Sequence, residues 1–280
     1  PFAFRQDTGV REWQAGDPVL VIVTPHNEAI RHEYGLAFSA WHARKYGAPV
    51  KVDWRAIGGA TEISRYLTSE YVSSFRAWWK AQGKPWRPDG AGIVLSRVFD
   101  PDAKPEGVAE ADWAAQRELY LAFRGTDDAK KFSSQIDLLF GGGSYDGDNA
   151  TRMGLLVPPW PAGQVPKGLL ATKAGAELIP EGLSGDTWRT PTYYGTTISC
   201  FGICYNRDRM RAQGIARPPE RWEDLADPAW FGSLGLADPT KSGSIAKAFE
   251  TIVQVECRKA VEAAGFGAAA EEYEAKIAAA

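Results

Sequence analysis

Cysteine is the first scarcity. Three cysteines in 280 residues cannot build the disulfide framework of a small secreted scaffold. Cys200 and Cys204 fall in one predicted strand, about 13 Å apart along a single face at the strand rise, too far to bridge. With Cys257 they are expected to be small buried hydrophobes. Histidine is equally scarce, with only His26, His32 and His42. His26 and His32 would lie about 240° apart on a helix, so they do not form the one-faced pair of a zinc protease. No apolar run approaches the ~18–20 residues of a membrane span. Positive charge is not in excess either: 32 Lys and Arg against 35 Asp and Glu give a net charge of −3. That leaves no basic stripe for a nucleic-acid backbone, and no nucleic-acid partner is expected.

Catalytic signatures are also missing. There is no G-x-S-x-G elbow. Gly141 to Gly147 narrowly misses the dinucleotide fingerprint, because Asp146 stands where its last glycine belongs. Gly235 to Ser242 narrowly misses the P-loop, because Thr240 replaces the glycine before Lys241. Ser244-Ile245-Ala246-Lys247 matches the S-x-x-K of penicillin-recognising enzymes, but Lys241-Ser242-Gly243 abuts it where a third motif should be distant. With no nucleophile–base pair, no enzymatic step and no catalytic residue are expected.

What is present is an α/β rhythm. Val19 to Thr24 (VLVIVT) is a continuous apolar, β-branched run that reads as a buried strand. Thr24-Pro25 reads as a helix start, with Ile30, Tyr34, Phe38 and Trp41 as the helix stripe. Val50, Val52 and Trp54 alternate as a second strand. After Gly58-Gly59, a helix begins near Thr61 with Ile63, Leu67, Tyr71, Phe75 and Trp78 on one face. Strand, helix, strand, helix with short loops implies a parallel sheet covered by helices. A proline-punctuated insertion, 84–134, carries one helix from Glu110 to Arg124 with Trp113, Tyr120 and Leu121 inward. Ile136 to Phe140 resumes the pattern as a strand.

A chain this long exceeds the usual domain size, and the composition shifts after Ser144. Two lobes are therefore expected, 1–144 (with the insertion) and 145–280, the latter holding strands at Thr196 to Asn206 and Gly235 to Asp238. Pro1 to Pro18 reads as a leader before the first strand. Thr240 to Ser244 opens a helix, from Ser242 to Val255 with Ile245, Phe249 and Ile252 on its buried side, and points hydroxyls and amides at one spot: an anion seat or a plain N-cap by Ser242. His26, one turn into a helix at the carboxyl edge of the sheet, is a candidate ligand group. His32 and His42 are expected to face solvent. Of Tyr193 and Tyr194, adjacent in an extended segment, one at most would face a ligand.

Arg217-Pro218-Pro219-Glu220-Arg221-Trp222-Glu223-Asp224-Leu225, Asp227 to Gly232 and Leu236 to Ser244 together resemble the second lobe of type II periplasmic solute-binding proteins of ABC importers. The branch they resemble includes the ferric-iron binders. Val19 to Glu28 and Val50 to Asp53 are similar to that family's opening strand, ligand loop and second strand. The resemblance implies an α/β, two-lobe type II periplasmic binding fold, each lobe a mainly parallel sheet flanked by helices with a cleft between them.

Ligand contacts are implied in three first-lobe loops: Thr24, Pro25, His26 and Asn27; Gly58, Gly59 and Ala60; and Gly142, Gly143 and Ser144. The second lobe would contribute Ser242, Gly243 and Ser244, with Tyr194 added as the candidate aromatic. In the ferric-iron members a first-loop histidine coordinates the metal, and His26 resembles it, so Fe3+ with an anion is one implied cargo. A small anionic solute is the other. No resident cofactor is expected. The implied partners are the solute and the importer's membrane subunits, the implied state is a monomer, and the implied place is extracytoplasmic, with an anchoring N-terminal segment removed. The family's return to lobe 1 comes last in the chain. On the order of a hundred further residues are therefore expected after the alanine-rich ending, Ala268 to Ala280. An enzyme on the same scaffold and the sensing domain of a membrane receptor are the rival readings.

Overall fold

The structure, a computed structural model, describes residues 11–125, 132–161, 164–172, 174–175, 177–183, 186–198, 201–240, 242–269 and 271–272, without the side chains of Lys167, Gly243 and Ser244. Two compact units divide between Thr196 and Thr197, where the composition shift had suggested a boundary after Ser144.

In the first unit, strand β1 (Val19–Val23) is followed by helix α1 (Glu28–Tyr46), β2 (Lys51–Arg55) and helix α2 (Ala60–Ala81). β1 pairs in parallel with β2 from Val19↔Lys51 to Val23↔Arg55. Helix α1 begins later than the sequence suggested. Thr24 still belongs to the sheet: its N–H donates to the Arg55 carbonyl at 3.1 Å. Asn27 is the cap instead, its side chain accepting from the Ile30 N–H at 3.0 Å. Gly47, at φ 68, closes the helix with its N–H on the Ala43 carbonyl. Only Ala43 of α1 is buried; Tyr34 and Trp41 are exposed, so the anticipated stripe covers the sheet incompletely. His42 is half-buried, with Nδ1 2.9 Å from the Ala48 carbonyl. Helix α2 follows its periodicity closely. Ile63, Leu67, Phe75 and Trp79 are buried, and Trp78, one position off the ideal stripe, is half-buried.

The 84–134 insertion is part of the core. It contributes helix α3 (Gly90–Val94), which periodicity missed, and helix α4 (Glu110–Arg124), whose bounds are as expected. The inward residues of α4 are Trp113, Leu119 and Phe123, while Leu121 is exposed. Phe75 sits at the centre with no exposed surface. Its ring lies 5.0 Å from Phe132, 5.2 Å from Phe123 and 5.6 Å from both Trp78 and Trp79, measured between centroids. The Trp79 indole N–H donates to the Pro85 carbonyl at 3.0 Å, so the buried ring leaves no donor unpaired.

Strand β3 (Leu138–Leu139) is shorter than the predicted 136–140 run. It pairs in parallel with β1 through Ile22↔Leu138 and Val23↔Leu139. Asp137 extends the contact, accepting the Val21 N–H on Oδ2 at 2.8 Å. The sheet order is β2-β1-β3. Helix α5 (Ser144–Arg152), the short helix α6 (Lys167–Leu170) and an antiparallel pair, β4 (Gly182–Leu183) with β5 (Asp186–Thr187), complete this unit. The result is a mixed α/β unit with a parallel sheet flanked by helices.

The second unit departs from expectation. Among its described residues there is no strand. Neither the described residues of 197–206 nor those of 235–238 pair with a neighbour, and Ser199 and Cys200 lie outside the described residues. Ile198, Phe201 and Leu236 are exposed. An apolar run becomes a strand only where a second backbone takes up its N–H and C=O groups, and no such partner is described here. Cys204 and Cys257 are exposed, not buried. The unit holds helix α7 (Arg207–Ala212), 3-10 turns at Trp222–Ala226 and Pro228–Trp230, and helix α8 (Gly243–Ala263). Helix α8 runs longer than predicted, and on it Ile245 and Ile252 are half-buried and Phe249 is exposed. The resemblance motif has a local purpose. Asp224 Oδ2 accepts the N–H groups of Glu220 and Arg221, both at 2.8 Å, and Asp227 caps the next turn at Ala229. Lys259 of α8 pairs with Glu223.

Phe75 should dominate the stability of the first unit. Phe75→Ala is expected to cost about 3–5 kcal/mol, read as a lower denaturant midpoint, whereas Leu121→Ala on the exposed face of α4 should cost under about 1 kcal/mol.

Candidate functional site at the sheet edge

All three strands run the same way, so Val23, Arg55 and Leu139 end on one edge. The chain leaves β1 towards β2 and returns on its other side to β3. The order therefore reverses at β1, which opens a crevice outside the carboxyl ends of β1 and β3. The three first-unit loops singled out from the sequence meet or flank this crevice.

In the first loop, Thr24 is fully buried and its Oγ1 accepts the His26 N–H at 3.2 Å; it ties the loop to the sheet. His26 precedes the helix instead of lying within it. Its ring stands edge-on to Phe140 at 4.9 Å, and burial lowers its pKa, which favours the neutral imidazole near pH 7. Gly141, at φ 122, packs beneath this loop: a Cβ there would meet Pro25 Cδ at 2.8 Å and His26 Nε2 at 3.1 Å.

In the second loop, the Gly59 N–H donates to Glu62 Oε2 at 2.8 Å. A Cβ on Gly58 would come within 2.1 Å of the same oxygen. In the third, Gly142 is left-handed at φ 87, and the Gly143 N–H donates to Asp146 Oδ2 at 2.9 Å. The starts of α2 and α5 are thus each capped by a carboxylate three residues on. Each carboxylate accepts one amide, that of the residue before the helix, and lies beside the positive end of the helix dipole.

A cavity of about 330 Å3 occupies the crevice. Pro25, Ala60, Gly141 and Gly142 line it, over an apolar floor that includes Ile63, Leu67, Leu139 and Leu155. Thr24, His26, Asn27, Gly58, Gly59, Gly143 and Ser144 flank this cavity without lining it. Arg65, Arg97, Tyr145, Asp146 and Asn149 also line it, and the sequence analysis named none of them as a site residue. Arg65 carried a signal: Thr61, Ser64 and Arg65 share a helix face at i, i+3 and i+4 beside the flagged loop. Arg97 carried none, because it comes from the insertion. Its Nη1 donates to Asn149 Oδ1 at 2.6 Å.

Ser144 is not free for a ligand. Its hydroxyl donates to Asp186 Oδ2 at 2.7 Å. The segment after β5 clamps one face of α5 further along. The Tyr193 hydroxyl donates to Asp148 Oδ1 at 2.8 Å, and the Thr151 and Thr192 hydroxyls lie 2.7 Å apart. Tyr193 lies over Gly147, where a Cβ would approach its ring to 2.8 Å. Burial, first, and Asp148, second, raise its phenol to about 12. Tyr194 points elsewhere, edge-on to Trp160 at 5.8 Å.

In the second unit Ser242 caps α8, its Oγ accepting the Ile245 N–H at 3.4 Å. Asp238 Oδ1 is engaged by the Thr240 N–H and hydroxyl, which lowers its pKa. Lys241 and the side chains of Gly243 and Ser244 lie outside the described residues.

Residues 159–274 match the family of bacterial extracellular solute-binding proteins. This stretch takes in Tyr193, Tyr194, the Trp222–Leu225 motif and the Ser242 helix start, and begins after the last residue lining the sheet-edge cavity. The family is one of binding proteins, not enzymes. The match supports an extracytoplasmic solute-binding protein without distinguishing a ferric-iron branch. An uncharacterized protein of Haemophilus influenzae (strain ATCC 51907 / DSM 11121 / KW20 / Rd) is 28% identical over 130 residues, 46% of this chain and 34% of that protein. The chain thus spans about a third of that relative's length. No solved structure matches it. Among the described residues, no helix is long and apolar enough to cross a membrane.

Two substitutions test this geometry. Gly141→Ala forces a side chain into a left-handed backbone against Pro25 and should cost about 1–3 kcal/mol, measured by thermal unfolding. Tyr193→Phe removes the bond to Asp148 and should cost about 1 kcal/mol at pH 8. Because the folded-state phenol is raised to about 12, from an unfolded value of about 10, the wild-type advantage should be complete below pH 10. It should fade as the pH rises towards 12.

Proposed function

We propose that this chain belongs to the solute-binding component of an ABC importer, acting outside the cytoplasm as a monomer that hands a small anionic solute to membrane subunits. The observation that carries the proposal is the match of residues 159–274 to bacterial extracellular solute-binding proteins. The crevice at the strand ends of the first unit supports it, because open α/β sheets take their ligands there. In the second unit, taken by itself, the start of α8 at Ser242 is a candidate anion contact.

The ferric-iron reading rests on His26 alone. Among the described residues no three His, Cys, Asp or Glu side chains gather as a metal-binding group, and His26 stands against Phe140 and Gly141 in place of a carboxylate. The small anionic solute is the cargo proposed, because two guanidinium groups, Arg65 and Arg97, line the crevice.

Native mass spectrometry of the protein purified from its host should show a bound small molecule that is lost on unfolding. Adding that molecule back should raise the thermal midpoint by mass action. A protein that carries no solute, and whose midpoint no extract of small molecules raises, would be incompatible with this function.

A further inference from the structure

The charge around the crevice is arranged in an unusual way for an anion site. At the starts of α2 and α5 one loop amide each, that of Gly59 and that of Gly143, donates to the carboxylates of Glu62 and Asp146, which sets negative charge beside the helix starts that usually receive anions at strand ends. The charged groups on the cavity wall are two guanidinium groups, Arg65 from α2 and Arg97 from the insertion, and one carboxylate, Asp146, which already accepts the Gly143 amide. Among the described residues Arg65 has no ion pair. Arg97 uses one N–H on Asn149 and keeps the rest of its fork for a carboxylate-like group.

The rest of the lining is largely hydrocarbon: Ile63, Leu67, Leu139, Ala150, Met153 and Leu155. A bare oxyanion such as phosphate would gain nothing from such a floor and would lose hydration over it. An uncharged hydrocarbon would make no use of the guanidinium groups.

We infer that the sheet-edge cavity binds an amphiphilic monoanion, a short hydrocarbon body carrying one carboxylate. The head would sit on Arg65 and Arg97 and the body on the Ile63–Leu67–Leu155 floor. This rests on the solute-binding function proposed above and narrows its ligand class. A cavity of about 330 Å3 holds on the order of ten heavy atoms at the roughly 30 Å3 share of a liquid water molecule, the size of a hexanoate ion. Arg97 gives the insertion a part in specificity, besides its part in the core.

Calorimetric titration with three probes tests this: hexanoate, 1-hexanol and inorganic phosphate. Hexanoate should bind, with 1-hexanol and phosphate each at least about tenfold weaker, because each satisfies only half of the site. Arg65→Gln and Arg97→Gln, both at exposed positions, should each weaken hexanoate about tenfold while leaving 1-hexanol unchanged and the thermal midpoint close to wild type. No hexanoate binding at millimolar concentration, phosphate binding as tight as hexanoate, or unchanged hexanoate affinity in both variants would overturn the inference. The solute-binding function fails separately, through the absence of any copurifying molecule. A copurified solute that hexanoate does not displace would leave that function standing and sink only the ligand class.

Discussion

The first unit depends on β1 being the middle strand. Val23, paired on both sides, and Thr24, whose N–H is held by the Arg55 carbonyl, are fully buried. The same pairing sets the direction of all three strands, and so puts every strand-to-helix loop on one edge. It also delays α1. Thr24 cannot be a helix cap while its N–H is held by Arg55, so the turn passes to Asn27, and His26 is left in the loop beside Phe140. β3 needs only two paired residues because Asp137 answers one more β1 amide with its side chain.

Charge at this edge is divided between two kinds of group. The carboxylates of Glu62 and Asp146 each take one loop amide, that of Gly59 and that of Gly143, and set negative charge beside the starts of α2 and α5. The guanidinium groups stand over the apolar floor. A site of this kind would select by the combination of acid and hydrocarbon, since neither half of the cavity satisfies a ligand lacking the other.

Rigidity behind the crevice comes from two other places. The insertion closes the aromatic cluster around Phe75 against the far part of α2, so the helix that presents Arg65 is anchored by Leu67, Phe75 and Trp79 farther along. On the other side the polar clamp of Asp186, Thr192 and Tyr193 holds α5 at Ser144, Asp148 and Thr151, one helical turn apart each time. The residues nearest a prospective ligand are therefore supported by groups that do not line the cavity.

Local patterns carried much of this. The continuous apolar run determined β1, the alternation of Val50, Val52 and Trp54 marked β2, and the 3.6-residue periodicity of α2 and α4 named most of their buried faces, because those elements bury one stripe whatever surrounds them. The glycines at 58–59 and 141–143 marked the loops, because positive φ and close backbone approach leave few alternatives at Gly141 and Gly142. Tertiary structure decided the rest. Thr196 to Asn206 has the composition of a strand, but β structure needs a partner backbone that composition does not specify. Arg97 and Arg65 are far apart in sequence and became neighbours of one cavity only when the insertion folded onto α2. Ser144 and Tyr194, chosen for their chemistry, were taken by Asp186 and Trp160, because a side chain's availability depends on what the rest of the chain brings within hydrogen-bonding or van der Waals reach.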